Sequence, residues 1–214
     1  MGLLASGALY LPDATTLLVA DAHFGKAVSF RLRGVPVPQG TTTETLQRLT
    51  DALEQTKATR LIFLGDFLHS AEAHAAPTQQ ALHNWRTRHA QLSITLVRGN
   101  HDDRAGDPPT ALGMEVVDEP LVLRGCSTPL ALCHYPQLTP GAYVLAGHAH
   151  PCVVLVGAGK DRLRLPCFVL GNPTTHAAGV LPAFGSFTGM HPISRQAGDR
   201  VFAAAATVVR EVPA

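Results

Sequence analysis

Five short apolar runs along this chain each stop at side chains of the kind that bind metals or move protons. Leu17-Leu18-Val19-Ala20 runs into Asp21-Ala22-His23, and Leu61-Ile62-Phe63-Leu64 into Gly65-Asp66-Phe67-Leu68-His69. Leu96-Val97 passes through Arg98-Gly99 into Asn100-His101-Asp102. Leu130-Ala131-Leu132-Cys133 ends at His134, and Tyr143-Val144-Leu145-Ala146 at Gly147-His148-Ala149-His150. A polar group at a buried strand end is costly unless it finds a partner, so five such ends imply one shared site.

Between these runs the pattern predicts the remaining elements. Leu3 to Leu11 and Thr16 to Ala20 read as strands joined at Pro12-Asp13. Phe24 to Gly40 holds Lys26, Arg31, Arg33, Gly34, Pro36 and Pro38, a composition that predicts a surface loop and a candidate lid over 24–40. Thr41-x-x-Glu44 reads as a capping box opening a helix with the stripe Leu46, Leu49, Ala52 and Leu53, ending near Lys57. His69 to Ala76 reads as a loop, Thr78 to Ala90 as a second helix carrying Ala81, Leu82 and Trp85, and Leu92 to Val97 as a returning strand. That β-α-β-α-β order predicts a mainly parallel half. From Val116 onward short strand-like runs follow one another without a helix, among them Leu163 to Leu165, Phe168 to Leu170 and Ala203 to Val209. The whole predicts an α/β fold of two sheets packed face to face in one domain over 1–214, with 177–200 a cleft-rim loop.

Composition narrows the function classes. An apolar share of 46% and a charged share of 15% describe a globular protein, and the net charge of +1 sets up no global field toward nucleic acid or membrane. No apolar stretch is long enough to span a bilayer, and the N-terminus lacks a signal peptide, so the expected location is the cytoplasm. Met1-Gly2-Leu3-Leu4-Ala5-Ser6 matches the loose myristoylation pattern, which short segments match by chance. Cys126, Cys133, Cys152 and Cys167 show no CxxC spacing, which predicts buried free thiols and no structural zinc knuckle.

The ligand candidates are Asp21, His23, Asp66, Asn100, His134, His148 and His150. So many nitrogen and oxygen donors exceed what one transition metal with an open position takes, whereas two metals sharing a carboxylate use four each. Asp-x-His and His-x-His spacings place both side chains on one side of an extended backbone. The imidazole, carboxylate and amide mixture favours manganese, iron or zinc over magnesium or calcium.

Asp21-x-His23, Gly65-Asp66, Gly99-Asn100-His101-Asp102, His134 and Gly147-His148-x-His150, in that order, resemble the calcineurin-like metallophosphoesterases over about residues 15 to 175. The resemblance implies a four-layer α/β/β/α sandwich of two mixed sheets with two divalent transition metals at the strand ends, manganese first. By position, one metal would be held by Asp21, His23, Asp66 and His150, and the other by Asp66, Asn100, His134 and His148. His101 would stabilise or protonate the leaving oxygen after attack by a metal-bridging hydroxide. Protein phosphatases carry a carboxylate three residues after the bridging Asp, where this chain has His69, and usually read Asn-His-Glu where it has Asn100-His101-Asp102. Whether Asp102, His69 or neither pairs with His101 stays open, with Asp102 counted among the catalytic candidates and His69 as a support behind the ligands.

A narrower match runs through Asp21-Ala22-His23-Phe24-Gly25-Lys26-Ala27, Phe30-Arg31, Gly34-x-Pro36-x-Pro38, Gly65-Asp66-Phe67-Leu68-His69-Ser70 and the Leu181 to Gly189 tail. It resembles the bacterial ligase-associated DNA-damage-response endonucleases (the PdeM family). That implies a metal-dependent phosphodiesterase acting on DNA in repair, associated with an ATP-dependent ligase, a helicase and a metallo-β-lactamase-type nuclease. Lys26, Arg31 and Arg33, directly after a ligand motif, are the candidate phosphate contacts. Arg98 is expected to be structural, and Asn172 to Thr175 and Phe184 to Gly189 to rim the cleft. The alternatives are a small-molecule phosphodiesterase or nucleotide pyrophosphatase, which the weak charge suits, and a non-catalytic scaffold, which has no reason to keep every ligand.

Overall fold

The computed structural model describes residues 1–124, 128–157, 159 and 161–213. Its first sheet contains β1 (Gly2–Leu3), β2 (Leu9–Leu11), β3 (Thr16–Ala20), β4 (Arg60–Leu64), β5 (Ser93–Val97) and β6 (Glu115–Val117), lying side by side in chain order. The first three pair antiparallel, and β3 to β6 run parallel. Four helices interleave with them: α1 (Lys26–Leu32), α2 (Thr41–Thr56), α3 (Ala76–Arg88) and α4 (Asn100–Ala105).

The second sheet is built from β7 (Leu121–Leu123), β8 (Leu130–Leu132), β9 (Tyr143–Ala146), β10 (Pro151–Val156), β11 (Arg162–Leu170), β12 (Ala178–Val180), β13 (His191–Pro192), β14 (Arg200–Ala205) and β15 (Val208–Val212). Its spatial order is β13-β10-β11-β12-β9-β8-β7, with β14 on β11 and β15 on β14. Both sheets are mixed, as expected; in the second, β8, β9 and β12 run parallel, and so do β10 and β13.

Alternation along each strand decides which face meets which layer. Leu17, Val19, Leu61 and Phe63 pack in one buried cluster with Leu46, Leu49 and Leu53 of α2 and Leu82 and Trp85 of α3. Leu18, Ala20, Ile62 and Leu64, one residue out of step, pack in another with Leu132, Leu145 and Phe168 of the second sheet. A one-residue slip of β3 or β4 would exchange these two sets, so the register is tightly specified. The helical layer expected outside the second sheet is not seen among the described residues, because all four helices precede β7. The outward set there is Ala131, Cys133, Val144, Ala146 and Ala178 near β8 and β9, small enough for close cover without a helix.

Several expected boundaries move. The segment 24–40 is not all loop, since α1 occupies seven of its residues, tied down by the Ser29–Ser70 hydroxyl bond at 2.6 Å. Thr41 does not cap α2: Gly40 is the capping residue, and the Glu44 N–H donates to its carbonyl at 2.8 Å. Thr41's own carbonyl accepts from Thr45 and Ser186, which holds it inside the first turn. The run Leu3 to Leu11 folds back at Gly7, and Ala203 to Val209 divides into β14 and β15 around Ala206. The segment 177–200 contains β12 and β13 and so is only partly loop. Cys133, Cys152 and Cys167 are buried free thiols; Cys126 lies outside the described residues. No helix among the described residues is long and apolar enough to cross a membrane.

Candidate metal centre

The candidate ligands follow the C-terminal ends of β3, β4, β5, β8 and β9, each of which runs parallel to a neighbour in its own sheet. Open α/β sheets gather ligands at such ends. The backbone there leaves the usual conformations: Asp21, His23, Asp66, His148 and His150 all have positive φ, between 45° and 67°. In that left-handed region each side chain leaves the line of its strand and turns toward a common centre.

The candidate ligands converge in two groups, and His23 also meets His69 and His101 in a third. Asp21, His23 and His150 form one, with His23 Nε2 and His150 Nε2 3.3 Å apart and His150 Nε2 3.7 Å from Asp21 Oδ1. Asp66, His134 and His148 form the other, with His134 Nε2 3.5 Å from Asp66 Oδ1 and 3.0 Å from His148 Nδ1. Asn100 Oδ1 joins the second group at 2.9 Å from His134 Nε2. Asp66 reaches both, since its other oxygen lies 3.6 Å from His23 Nε2. All seven candidates are therefore brought together.

Proton accounting tests whether a cation fits. His134 Nδ1 faces the Leu64 carbonyl at 3.3 Å, and a carbonyl can only accept, so the proton belongs on Nδ1. Nε2 then presents a lone pair to Asn100 Oδ1 and Asp66 Oδ1, both acceptors. Acceptors this close with no proton to share repel one another unless a cation lies among them. Asp21 Oδ1 is buried with no hydrogen-bond partner, which is the same signal in the other group. Burial holds His23 far below the usual histidine range, in the neutral form that ligates, and pushes the Asp66 carboxyl up. The donor set fits divalent cations.

Comparison with solved structures adds a relative. A nuclease of Pseudomonas putida, MPE, is 46% identical over 94% of this chain and 90% of its own, with a TM-score of 0.80. The chain belongs to that metallophosphoesterase–nuclease family. The E. coli phosphoesterase Yfce (15% identity, TM-score 0.48) and the Aquifex aeolicus protein AQ665 (21%, 0.45) are more distant. Neither a family model nor a curated protein matches.

As a metallophosphoesterase, this chain keeps His101 beside the centre, its Nε2 4.0 Å from Asp66 Oδ2. Of the two partners left open it is His69 that orients it, through its backbone and not its ring nitrogens. Its Nδ1 donates to the backbone carbonyl of His69 at 2.6 Å. The Asp102 carboxylate, expected to take part in catalysis, instead accepts the backbone N–H of Leu68 and of Gly99, each at 3.0 Å, and is buried. It clasps the turn after Asp66 to the turn before Asn100, because the third position of α4 points back along the helix toward the capping residue. Burial lifts that carboxyl to about 6. The His69 ring stacks on His101 at 4.8 Å, and its Nδ1 comes within 3.4 Å of His23 Nδ1.

Of the three candidate cations, Lys26 faces the centre: burial lowers its ammonium, while Asp66 and Asp21 draw it back up. Arg31 is spent on its own loop, donating to the Pro38 carbonyl at 3.1 Å, and Arg33 is exposed, its charge acting on His69 and Glu72. Arg98 is structural as expected, held by Asp107 at 2.7 Å and Asp118 at 2.9 Å. Phe184 and Gly185 donate to the Ala20 and Asp21 carbonyls, so that loop does flank the site. Asn172 and Pro173 do not; they share a cavity of about 570 Å³ with Pro12 to Ala14, at the far end of β3. Glu119, which carried no signal in the sequence, accepts the His134 N–H at 2.6 Å.

The cluster makes the metal-free protein acid-sensitive. Burial and the Lys26 charge push His69 down to about 4, against 6.5 in the unfolded chain. Between those values the unfolded state binds more protons, so this contribution is complete above pH 6.5 and lost as pH falls through about 4. In chelator, His69→Gln is expected to flatten that fall, read from urea midpoints across the interval.

Proposed function

We propose that this protein is a dinuclear-metal phosphodiesterase that cuts nucleic acid. The observation that supports this most strongly is the pair of facing donor groups bridged by Asp66, in a chain 46% identical to a nuclease. Asp21, His23, Asp66 and His150 would hold one cation, and Asp66, Asn100, His134 and His148 the other. Manganese suits the donor set best, with iron or zinc next. Such a pair supplies a water acidic enough to attack near neutral pH and neutralises phosphate charge.

The chain's own residues do the rest. Lys26 draws the substrate phosphate in from the α1 side. His101, its Nδ1 proton held by the His69 carbonyl, offers Nε2–H to the oxygen that departs, and the carbonyl stabilises the imidazolium needed for that. The DNA-repair setting, with a ligase, a helicase and a second nuclease nearby, belongs to the same proposal.

His101→Ala tests it through the leaving group. A nucleotide alkoxide needs a proton to depart, whereas nitrophenolate leaves readily without one. The variant is expected to lose about 100-fold or more on DNA and at least tenfold less than that on bis(p-nitrophenyl) phosphate, with Mn²⁺ present. Equal losses on both substrates would remove His101 from the acid role. Wild-type turnover confined to nucleotide pyrophosphates would establish the small-molecule alternative.

A further inference from the structure

Tyr135 has no part in any role assigned so far, yet it stands at the centre's mouth. Its ring centroid lies 4.4 Å from that of His148 and 4.9 Å from that of His134, tilted by 53° and 70°. Both of those histidines belong to the second donor group, while His101 approaches the other oxygen of Asp66. The residue is 39% exposed. One part of it therefore packs on the candidate ligands and the other is open to whatever enters.

The ring is also held. Glu119 Oε2 accepts the Tyr135 N–H at 3.0 Å and the His134 N–H at 2.6 Å, and Glu119 Oε1 accepts from the Gln137 amide at 3.3 Å. A carboxylate gripping two successive amides locks the backbone that carries both rings. A half-exposed aromatic ring in a fixed place loses little conformational freedom when a flat partner covers it.

We propose that Tyr135 is a substrate-binding residue that stacks a nucleobase next to the scissile phosphate, on the flank away from His101. This rests on the reading of the site as a nucleic-acid phosphodiesterase. Every base offers a π-face, so such a platform gives affinity without reading sequence. Lys26 and the cations would bind the phosphate; Tyr135 would bind what the phosphate is attached to. The competing role for the ring is a shield that keeps water from His134 and His148, which would act on every substrate alike.

The experiment compares wild type, Tyr135→Ala and Tyr135→Phe on an oligonucleotide and on a strand of equal length with abasic nucleotides, using Mn²⁺. Tyr135→Ala is expected to lower kcat/KM on the base-bearing strand at least about fivefold more than on the abasic strand. The loss should sit in KM, and Tyr135→Phe should restore it. Anisotropy of a labelled strand in chelator should show the same selective loss of affinity. Equal losses on both strands, or weaker Mn²⁺ binding by calorimetry in Tyr135→Ala, would overturn the proposal in favour of the shield. No effect on either strand would overturn it as well. A wild-type protein that hydrolyses a small phosphodiester but neither strand would overturn it together with the nucleic-acid reading, and would show that the latter had failed.

Discussion

Asp66→Asn is expected to abolish turnover on phosphodiesters by about two orders of magnitude or more while leaving the fold intact. The amide keeps an oxygen for the His101 N–H, which Asp66 Oδ1 accepts at 2.9 Å, so the α4 turn stays anchored. It loses the second charged oxygen, the one that faces His23 at 3.6 Å and makes the residue common to both donor groups. Burial raises the Asp66 carboxyl, which means that the ionised form is disfavoured by folding and costs stability at neutral pH without a cation. The variant should therefore melt at or above the wild-type temperature in chelator and lose the stabilisation that Mn²⁺ gives the wild type. A variant that kept both turnover and the Mn²⁺ response would exclude Asp66 as the shared ligand.

Gly65→Ala is expected to cost about 3 kcal/mol or more, a large part of an ordinary domain's stability. Two separate effects add. Gly65 has φ 77°, where an added Cβ is strained, and that Cβ would overlap the His134 ring, which is itself fully buried. The urea midpoint reports the loss, and a shift within experimental error would mean that His134 does not lie over Gly65. The glycine thus serves the turn before Asp66 and leaves the space of its missing side chain to an imidazole.

Strand ends were the most readable part of the molecule, because each apolar run stops at ligand-type side chains; which face meets which layer, Leu17 and Val19 against Leu18 and Ala20, shows only in the fold, since both sets are apolar. The two-residue spacings were misleading in their reason: Asp21, His23, His148 and His150 all have positive φ and not extended backbone, and His148 and His150 fall in different donor groups. Neighbours that differ in role were not separable: His101 and Asp102 look alike in a polar triplet. Only the helical turn, about 100° per residue, sends one toward Asp66 and the other onto backbone amides. Helix α1 was hidden by flanking glycine and proline and is held by distant partners, Ser70 and Phe187. The turn between β14 and β15 sits on Ala206 at φ 47°, where neither glycine nor proline announces it. Glu119 acts through backbone amides fifteen and sixteen residues away, a relation invisible to local pattern.

Five of the seven candidate ligands sit in backbone conformations that L-residues avoid, each costing on the order of 1 kcal/mol. Glycine would be easier to accommodate at every one of those five places. A breeding scheme that rewarded heat resistance alone would thus strip out the chemistry first and leave the leucine layers untouched. Any hardened descendant of this protein should be screened for turnover at each round, since the quickest route to toughness runs straight through the residues gathered at the candidate centre.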